Sequence, residues 1–344
     1  MSRIFLPEWA PQSAVMLTWP HEDTDWAFIL EEAEAVFCRI ALEVTKRQGL
    51  IVTCRNEAHE IHVCQRLTDT GVDMTRVVTG LAESNDTWAR DHGPLTVLTD
   101  AESPLLLDFT FNGWGGKYEA DADNAISRQL HQQGIFGNLP LTTLDFVLEG
   151  GSIETDGQGT LLTTRQCLMS PTRNPDLNEA AIEALLRREL GVERVLWLNH
   201  GHLEGDDTDS HVDTLARLCS PDTIAHVVCD DPEDPHHAPL AAMTAELEAF
   251  RTPEGKPYRL IPLPLPAPIR DEEGRRLPAT HANFLIINGA VLVPTYGDPT
   301  DAVSLTRLAE AFPDREIVGI DCRALIHQFG SLHCVTMQLP ATID

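Results

Sequence analysis

The chain has 344 residues and 42% hydrophobic side chains, enough to bury a sizeable core, which excludes a disordered polypeptide. Asp and Glu number 53 against 25 Lys and Arg, and the formal net charge of −28 repels phosphate backbones, excluding nucleic acid as the expected partner. The same charge keeps a protein soluble and attracts small cations.

In chain order, residues 25–47 carry Ile29, Val36, Phe37, Ile40 and Val44 at helical spacing, with Gly49 as the stop and 50–54 as a buried strand. A second helix is predicted over 177–190, stopped by Gly191, with a strand at 194–198. Next come a strand at 223–229, a helix at 239–250 and a strand at 259–263. The run 284–293 is apolar enough for a central strand or hairpin, 301–312 reads as a helix, and 316–320 as a strand. Strands separated by helices predict the α/β class. The proline-rich stretch 263–268 fits either a linker or an extended segment beside a cleft. It is short, so a single catalytic domain over 1–344 is the preferred organisation. No apolar run approaches the roughly 18 residues of a membrane helix. Residues 1–20 lack a signal-peptide pattern, so a cytoplasmic protein without membrane partners is expected. Self-association is left open.

The eight cysteines (38, 54, 64, 167, 219, 229, 322 and 334) form no CxxC pair, which removes the usual zinc and thioredoxin readings and fits reduced thiols. Cys38, Cys54, Cys219 and Cys229 lie in apolar runs, as small core residues do. Cys334 differs. It sits between a Gly-Ser turn and a Val-Thr strand start, a setting predicted to expose a nucleophilic sulfur, although a buried structural thiol is the commoner fate.

Three further segments concentrate titratable residues at predicted loops. In Asn85-Asp-Thr-Trp-Ala-Arg-Asp-His-Gly-Pro94, Trp88 can stack on a planar cation and Asp91 can bind two guanidinium N–H groups; equally, the segment is a helix start with a core tryptophan. Glu149, before Gly150-Gly151, either orients a histidine or caps a turn. His211 and Asp213 are two apart, so in a strand both face one way, the imidazole moving protons and the carboxylate binding substrate. The bland alternative there is a solvated acidic loop. A metal-dependent hydrolase using His202, Asp206, Asp207, Asp209, His211 and Asp213 is the rival from another class, although the run has neither a calcium-loop nor a zinc signature.

Together these motifs resemble the guanidino-group modifying enzymes, and most closely the agmatine deiminase family, relatives of the peptidyl-arginine deiminases. The resemblance runs from Leu6-Pro-Glu-Trp-Ala-Pro11 and Thr18-Trp-Pro20 through Trp88-Ala-Arg-Asp-His-Gly-Pro94, Phe111-Asn-Gly-Trp-Gly-Gly-Lys-Tyr118 and Leu148-Glu-Gly-Gly151. It continues through 202–213 and Ala282-Asn-Phe-Leu-Ile-Ile-Asn288 to His333-Cys-Val-Thr-Met-Gln-Leu-Pro340. It implies a five-fold pseudosymmetric α/β propeller (pentein) of ββαβ-type modules. It further implies Cys334 as nucleophile, His211 as general acid/base, Asp91 and Asp213 as a guanidinium clamp, Glu149 as partner of His211, and Trp88 as a wall. The implied reaction hydrolyses agmatine to N-carbamoylputrescine and ammonia through an S-alkylthiouronium, with peptidyl-arginine or another alkylguanidine as the alternative substrate. It needs no metal or organic cofactor, and neighbouring carboxylates are expected to favour charged His211. Two departures stand out: Phe329-Gly-Ser-Leu332 replaces the family's three glycines and asparagine before the His-Cys pair, and the segment after Gly116 is shorter.

Overall fold

The computed structural model describes residues 3–100 and 103–341. Its strands form five sheets that repeat one connectivity: two antiparallel strands, then a helix, then a third strand parallel to the second. Parallel neighbours need a crossover connection, and here each parallel pair is joined across one long helix.

The module Leu95–Thr99, Pro104–Thr110 and Leu141–Val147 is crossed by helix Asp123–Gln132 and gains Arg3–Phe5 at its edge. Next come Ile153–Thr155, Thr160–Thr164 and Arg194–Leu198, crossed by helix Glu179–Leu190. The following two modules are Ala216–Ser220, Thr223–Val228 and Arg259–Pro264 with helix His237–Ala249, and Leu285–Ile287, Ala290–Thr295 and Glu316–Asp321 with helix Pro299–Ala311. The last is assembled from both ends of the sequence. Thr336–Pro340 pairs antiparallel with Gln12–Thr18, which continues in parallel to Gly49–Cys54 and Val77–Leu81 across helices Leu30–Thr45 and Glu57–Thr70. That closure carries Glu8 to the segment holding His333 and Cys334.

Local chemistry explains the boundaries. Asn178 accepts from the Ala181 N–H and starts the helix that ends at Gly191; Asp298 and Asp301 form a capping box with Pro299 in the first turn. The helix predicted from residue 25 begins instead at Leu30, after a 3-10 turn at Ala27–Ile29, because Trp26 is buried and its indole donates to Asp86 at 2.7 Å. The run 284–293 is a hairpin. The stretch 263–268 is not a linker: Pro262 and Pro264 lie in an edge strand, where a missing N–H costs no ladder bond, while Ile261 and Leu263 point into the core. Three apolar clusters fill the interior, and Trp88, Trp114 and Cys334 belong to the first of them. No helix among the described residues is long and apolar enough to cross a membrane.

Candidate active site

Loops at the ends of the sheets converge on one narrow cavity. Its walls are Trp88, Trp114, Tyr118 and Phe329, its acids are Asp25, Asp86, Asp91 and Asp207, and Cys334 lies among them. Aromatic faces alternating with carboxylates suit a flat organic cation.

Cys334 precedes the strand Thr336–Pro340, as predicted, but its sulfur is not exposed; the residue is 5% accessible. Asn283 meets both its backbone N–H and its Sγ at 3.3 Å, and Asp213 Oδ2 lies 3.8 Å from Sγ. Burial, followed by the charges of Asp213 and Asp91, pushes the thiol well above its ordinary range. With carboxylates beside it the group favours the thiol form, and a neighbouring cation supplies what the thiolate lacks.

Asp91 and Asp213 come from distant segments yet face each other across Gly151. A Cβ on Gly151 would lie 2.7 Å from His211 Nδ1, 2.9 Å from Asp91 Oδ1 and 3.1 Å from Asp213 Oδ2. Only glycine leaves that space. Gly151→Ala is expected to displace all three groups and lower kcat/KM about 10²-fold, the usual cost of roughly 1 Å of misplacement. Steady-state kinetics beside an unchanged circular-dichroism spectrum check it.

The two acids are held differently. Asp91 accepts from Trp114 Nε1 at 2.9 Å and from the Gly151 N–H at 3.1 Å, but burial and the charges of Asp213 and Glu149 raise its carboxyl well above the ordinary range. Burial works on Asp213 in the same direction, yet the hydrogen bond and charge of His333, with His211 and Arg217, hold it below. Its Oδ2 accepts from His333 Nδ1 at 2.7 Å, while its buried Oδ1 has no partner.

His211 and Asp213 do not share a strand. His211 caps a 3-10 turn, Val212–Thr214, that contains Asp213, and it is this turn that aims both into the site. Both His211 ring nitrogens lack a hydrogen bond, and Nδ1 is 3.6 Å from Asp91 Oδ1. The expectation of a charged His211 is corrected: burial pushes it down to about 3, outweighing Asp213, so the imidazole of the empty site is neutral. Glu149 has a ligand atom within 4.8 Å of one on His211 but is hydrogen-bonded to Arg173 Nε, at 2.8 and 3.0 Å. Arg173 also binds Asp209 Oδ2 at 2.6 Å and the Thr208 carbonyl at 2.8 Å, fastening the loop before His211. Arg173→Met strands a fully buried carboxylate and is expected to cost about 3–5 kcal/mol, read from urea unfolding.

The rival metal reading loses its donor set. Asp206 binds the N–H groups of Thr208 and Ser210, Asp207 accepts from Tyr118, Asp209 pairs with Lys117 and Arg173, and Asp213 takes His333. Among the described residues, buried donor groups do gather as Glu149, Cys167 and His211, and as Glu8, Glu154 and His333. Each includes a carboxylate already paired with an arginine, which disfavours a second cation.

Trp88 lines the cavity, packed 5.7 Å from Trp26 and 6.4 Å from Trp114. The unusual segment before the His-Cys pair serves this wall. A Cβ on Gly330 would meet Trp88 at 2.2 Å, so that glycine is required, whereas Phe329 occupies the left-handed region at φ 68° to present its ring to the cavity. Trp114 is strained in the same way, at φ 55°, in order to reach Asp91. Sequence reasoning assigned no role to Glu8, Trp114, Arg173, Asn283 or His333, although all but Arg173 lie in motifs it singled out.

With the family match and relatives that follow, these features place the chain among hydrolases that act on a C–N bond of a guanidino group. The chain belongs to the Porphyromonas-type peptidyl-arginine deiminase family, whose model matches residues 4–340. The agmatine deiminase of Stutzerimonas stutzeri is 32% identical over 97% of this chain and 94% of its own. A Porphyromonas gingivalis structure provisionally assigned as an arginine deiminase is 51% identical, with a TM-score of 0.91 and 99% of both chains covered. A Cys-to-Ser variant of C. jejuni agmatine deiminase, solved with substrate bound, is 36% identical with a TM-score of 0.91, covering 99% of this chain and 97% of that one.

Proposed function

We propose that the chain is a cysteine-dependent agmatine deiminase, producing N-carbamoylputrescine and ammonia. The observation that carries this reading is the buried meeting of an unpartnered histidine and two carboxylates at Gly151, with the Cys334 thiol 3.8 Å from one of those carboxylates, beside an acidic, aromatic cavity. The substrate-bound Cys-to-Ser relative supports the cysteine, and the curated relatives support agmatine.

In this reading the guanidinium plane lies between Asp91 and Asp213, with Trp88 as its wall, and its positive charge draws out the proton of Cys334. Neutral His211 takes that proton as sulfur attacks the central carbon, giving a neutral tetrahedral adduct. His211 returns it to the departing nitrogen, ammonia leaves, and the S-alkylthiouronium carries the positive charge. Water then attacks with His211 as base. The C–S bond breaks, sulfur regains its proton, and the remaining proton leaves on ammonia as ammonium. Glu149, held by Arg173, fixes the negative potential behind His211.

The rim supports a substrate with a second cation. Asp25, Asp86 and Asp207 line the cavity, so a distal ammonium meets carboxylates there, whereas free arginine would bring its own carboxylate against them. The five repeated modules support the pentein propeller as one catalytic domain over 1–344. Eight free cysteines fit a cytoplasmic setting.

An ammonia-release screen over agmatine, free arginine, a blocked arginine peptide and other alkylguanidines tests the substrate. Agmatine is expected to exceed free arginine by about 10²-fold or more in kcat/KM. Preference for the blocked peptide would transfer the reading to peptidyl-arginine, and turnover that survived thiol alkylation would remove the cysteine.

A further inference from the structure

The proposed clamp gives Asp213 two oxygens with different neighbours: Oδ1 is free and buried, and Oδ2 accepts from His333 Nδ1 at 2.7 Å. On the far side of the same ring, Nε2 lies 2.6 Å from Glu8 Oε2. A carboxylate can only accept, so a ring bracketed by two of them meets each with a donating N–H. Glu8 is itself fixed, its Oε1 accepting from the Ile286 N–H at 2.7 Å and its Oε2 from Arg217 at 3.0 Å. The His333 backbone N–H donates to the Asn283 carbonyl at 3.1 Å and to its side-chain oxygen at 2.9 Å, and that oxygen also contacts Cys334. Every member of this chain is buried.

Resting on the deiminase reading, we infer that His333 and Glu8 are positioning residues that orient Asp213 and balance its charge, leaving Oδ1 free for a guanidinium N–H. The need is physical. Two carboxylates facing across Gly151 without a cation between them share a proton, and a protonated Asp213 is no clamp. The His333 ring settles which acid keeps its charge, and its anchoring on Glu8 holds Nδ1 on Asp213. Because Glu8 arrives with the N-terminal segment and His333 with the C-terminal one, closure of the last sheet completes the clamp.

Two variants test this in the full-length protein. Glu8→Gln keeps the shape, but its amide can donate to Nε2, leaving a neutral ring that still donates to Asp213; His333→Gln removes the ring. In 15N-histidine-labelled protein, two downfield ring N–H resonances are expected to be assignable to His333 by their loss in His333→Gln, and one of that pair is expected to be lost in Glu8→Gln. In a Cys334→Ala background, Glu8→Gln is expected to weaken agmatine binding about tenfold, with a matching loss of kcat/KM in the Cys334 enzyme. Loss of fewer than two ring N–H resonances in His333→Gln, or Glu8→Gln within twofold of native in both constants, overturns the inference. If the native enzyme releases no ammonia from any guanidine, the functional reading falls, and the resonance count still decides the relay.

Discussion

Cys334→Ala is expected to lower ammonia release by at least about 10⁴-fold while holding the agmatine Kd within about fivefold. The asymmetry follows from who does what. Sulfur is the only atom in the cavity that forms a bond to the guanidinium carbon in the proposed reaction, so no neighbour replaces it. Recognition rests elsewhere, on Asp91, on the unpaired Oδ1 of Asp213 and on the aromatic walls. The modest loss in affinity reflects the thiol itself: burial raises it, and a bound cation gains some attraction by ionising it. Calorimetric titration with agmatine beside an ammonia assay checks both halves. Turnover within tenfold of native would end the assignment of Cys334.

Asp91→Asn is expected to lower activity and to change how stability depends on pH. Trp114 Nε1 donates to Oδ2 and the Gly151 N–H to Oδ1, so the single amide oxygen keeps one of these contacts and cannot balance a guanidinium charge, and kcat/KM should fall about 10²–10³-fold. The pH profile of stability should flatten. Burial raises the folded-state carboxyl above its unfolded value of about 3.9, so between those two values the folded state holds a proton that the unfolded chain has lost. Native stability therefore declines as pH rises through that window, and asparagine removes the loss. Thermal unfolding from acidic to neutral pH should show the variant gaining on the native protein as pH increases. Agmatine binding to the native enzyme likewise expels the Asp91 proton, so KM should fall with rising pH, a trend that Asp91→Asn should flatten.

Much of the fold was legible because its signals are local. The helices ending at Thr45, Leu190, Ala249 and Ala311 were readable from apolar spacing, caps and glycine stops, as were the strands that follow them. Helix Glu57–Thr70 was not, because its buried side is narrow: His59, Val63 and Leu67 alone are buried. Gln12–Thr18 gave no separate signal either, since only pairing with strands far along the chain makes it central. For the site, the resemblance pointed to Cys334, His211, Asp91, Asp213, Glu149 and Trp88, and the structure brings them to one cavity or its immediate surroundings. The local geometry expected of them was less secure. A strand was expected at 211–213 where a 3-10 turn stands, and an exposed sulfur where a buried one lies.

Cys334 as the proposed nucleophile, and the acids that face it, follow from residue type and motif, which are properties of short sequence. Their protonation and partners do not, because burial and charge at a few ångströms depend on segments hundreds of positions apart. Only the folded chain sets Arg173 on Glu149, leaves His211 neutral and unpartnered, and inserts His333 between Glu8 and Asp213. Sequence by itself determined the chemical groups available to this enzyme; the tertiary structure decided which carry charge, because desolvation and Coulomb interactions act through space rather than along the chain.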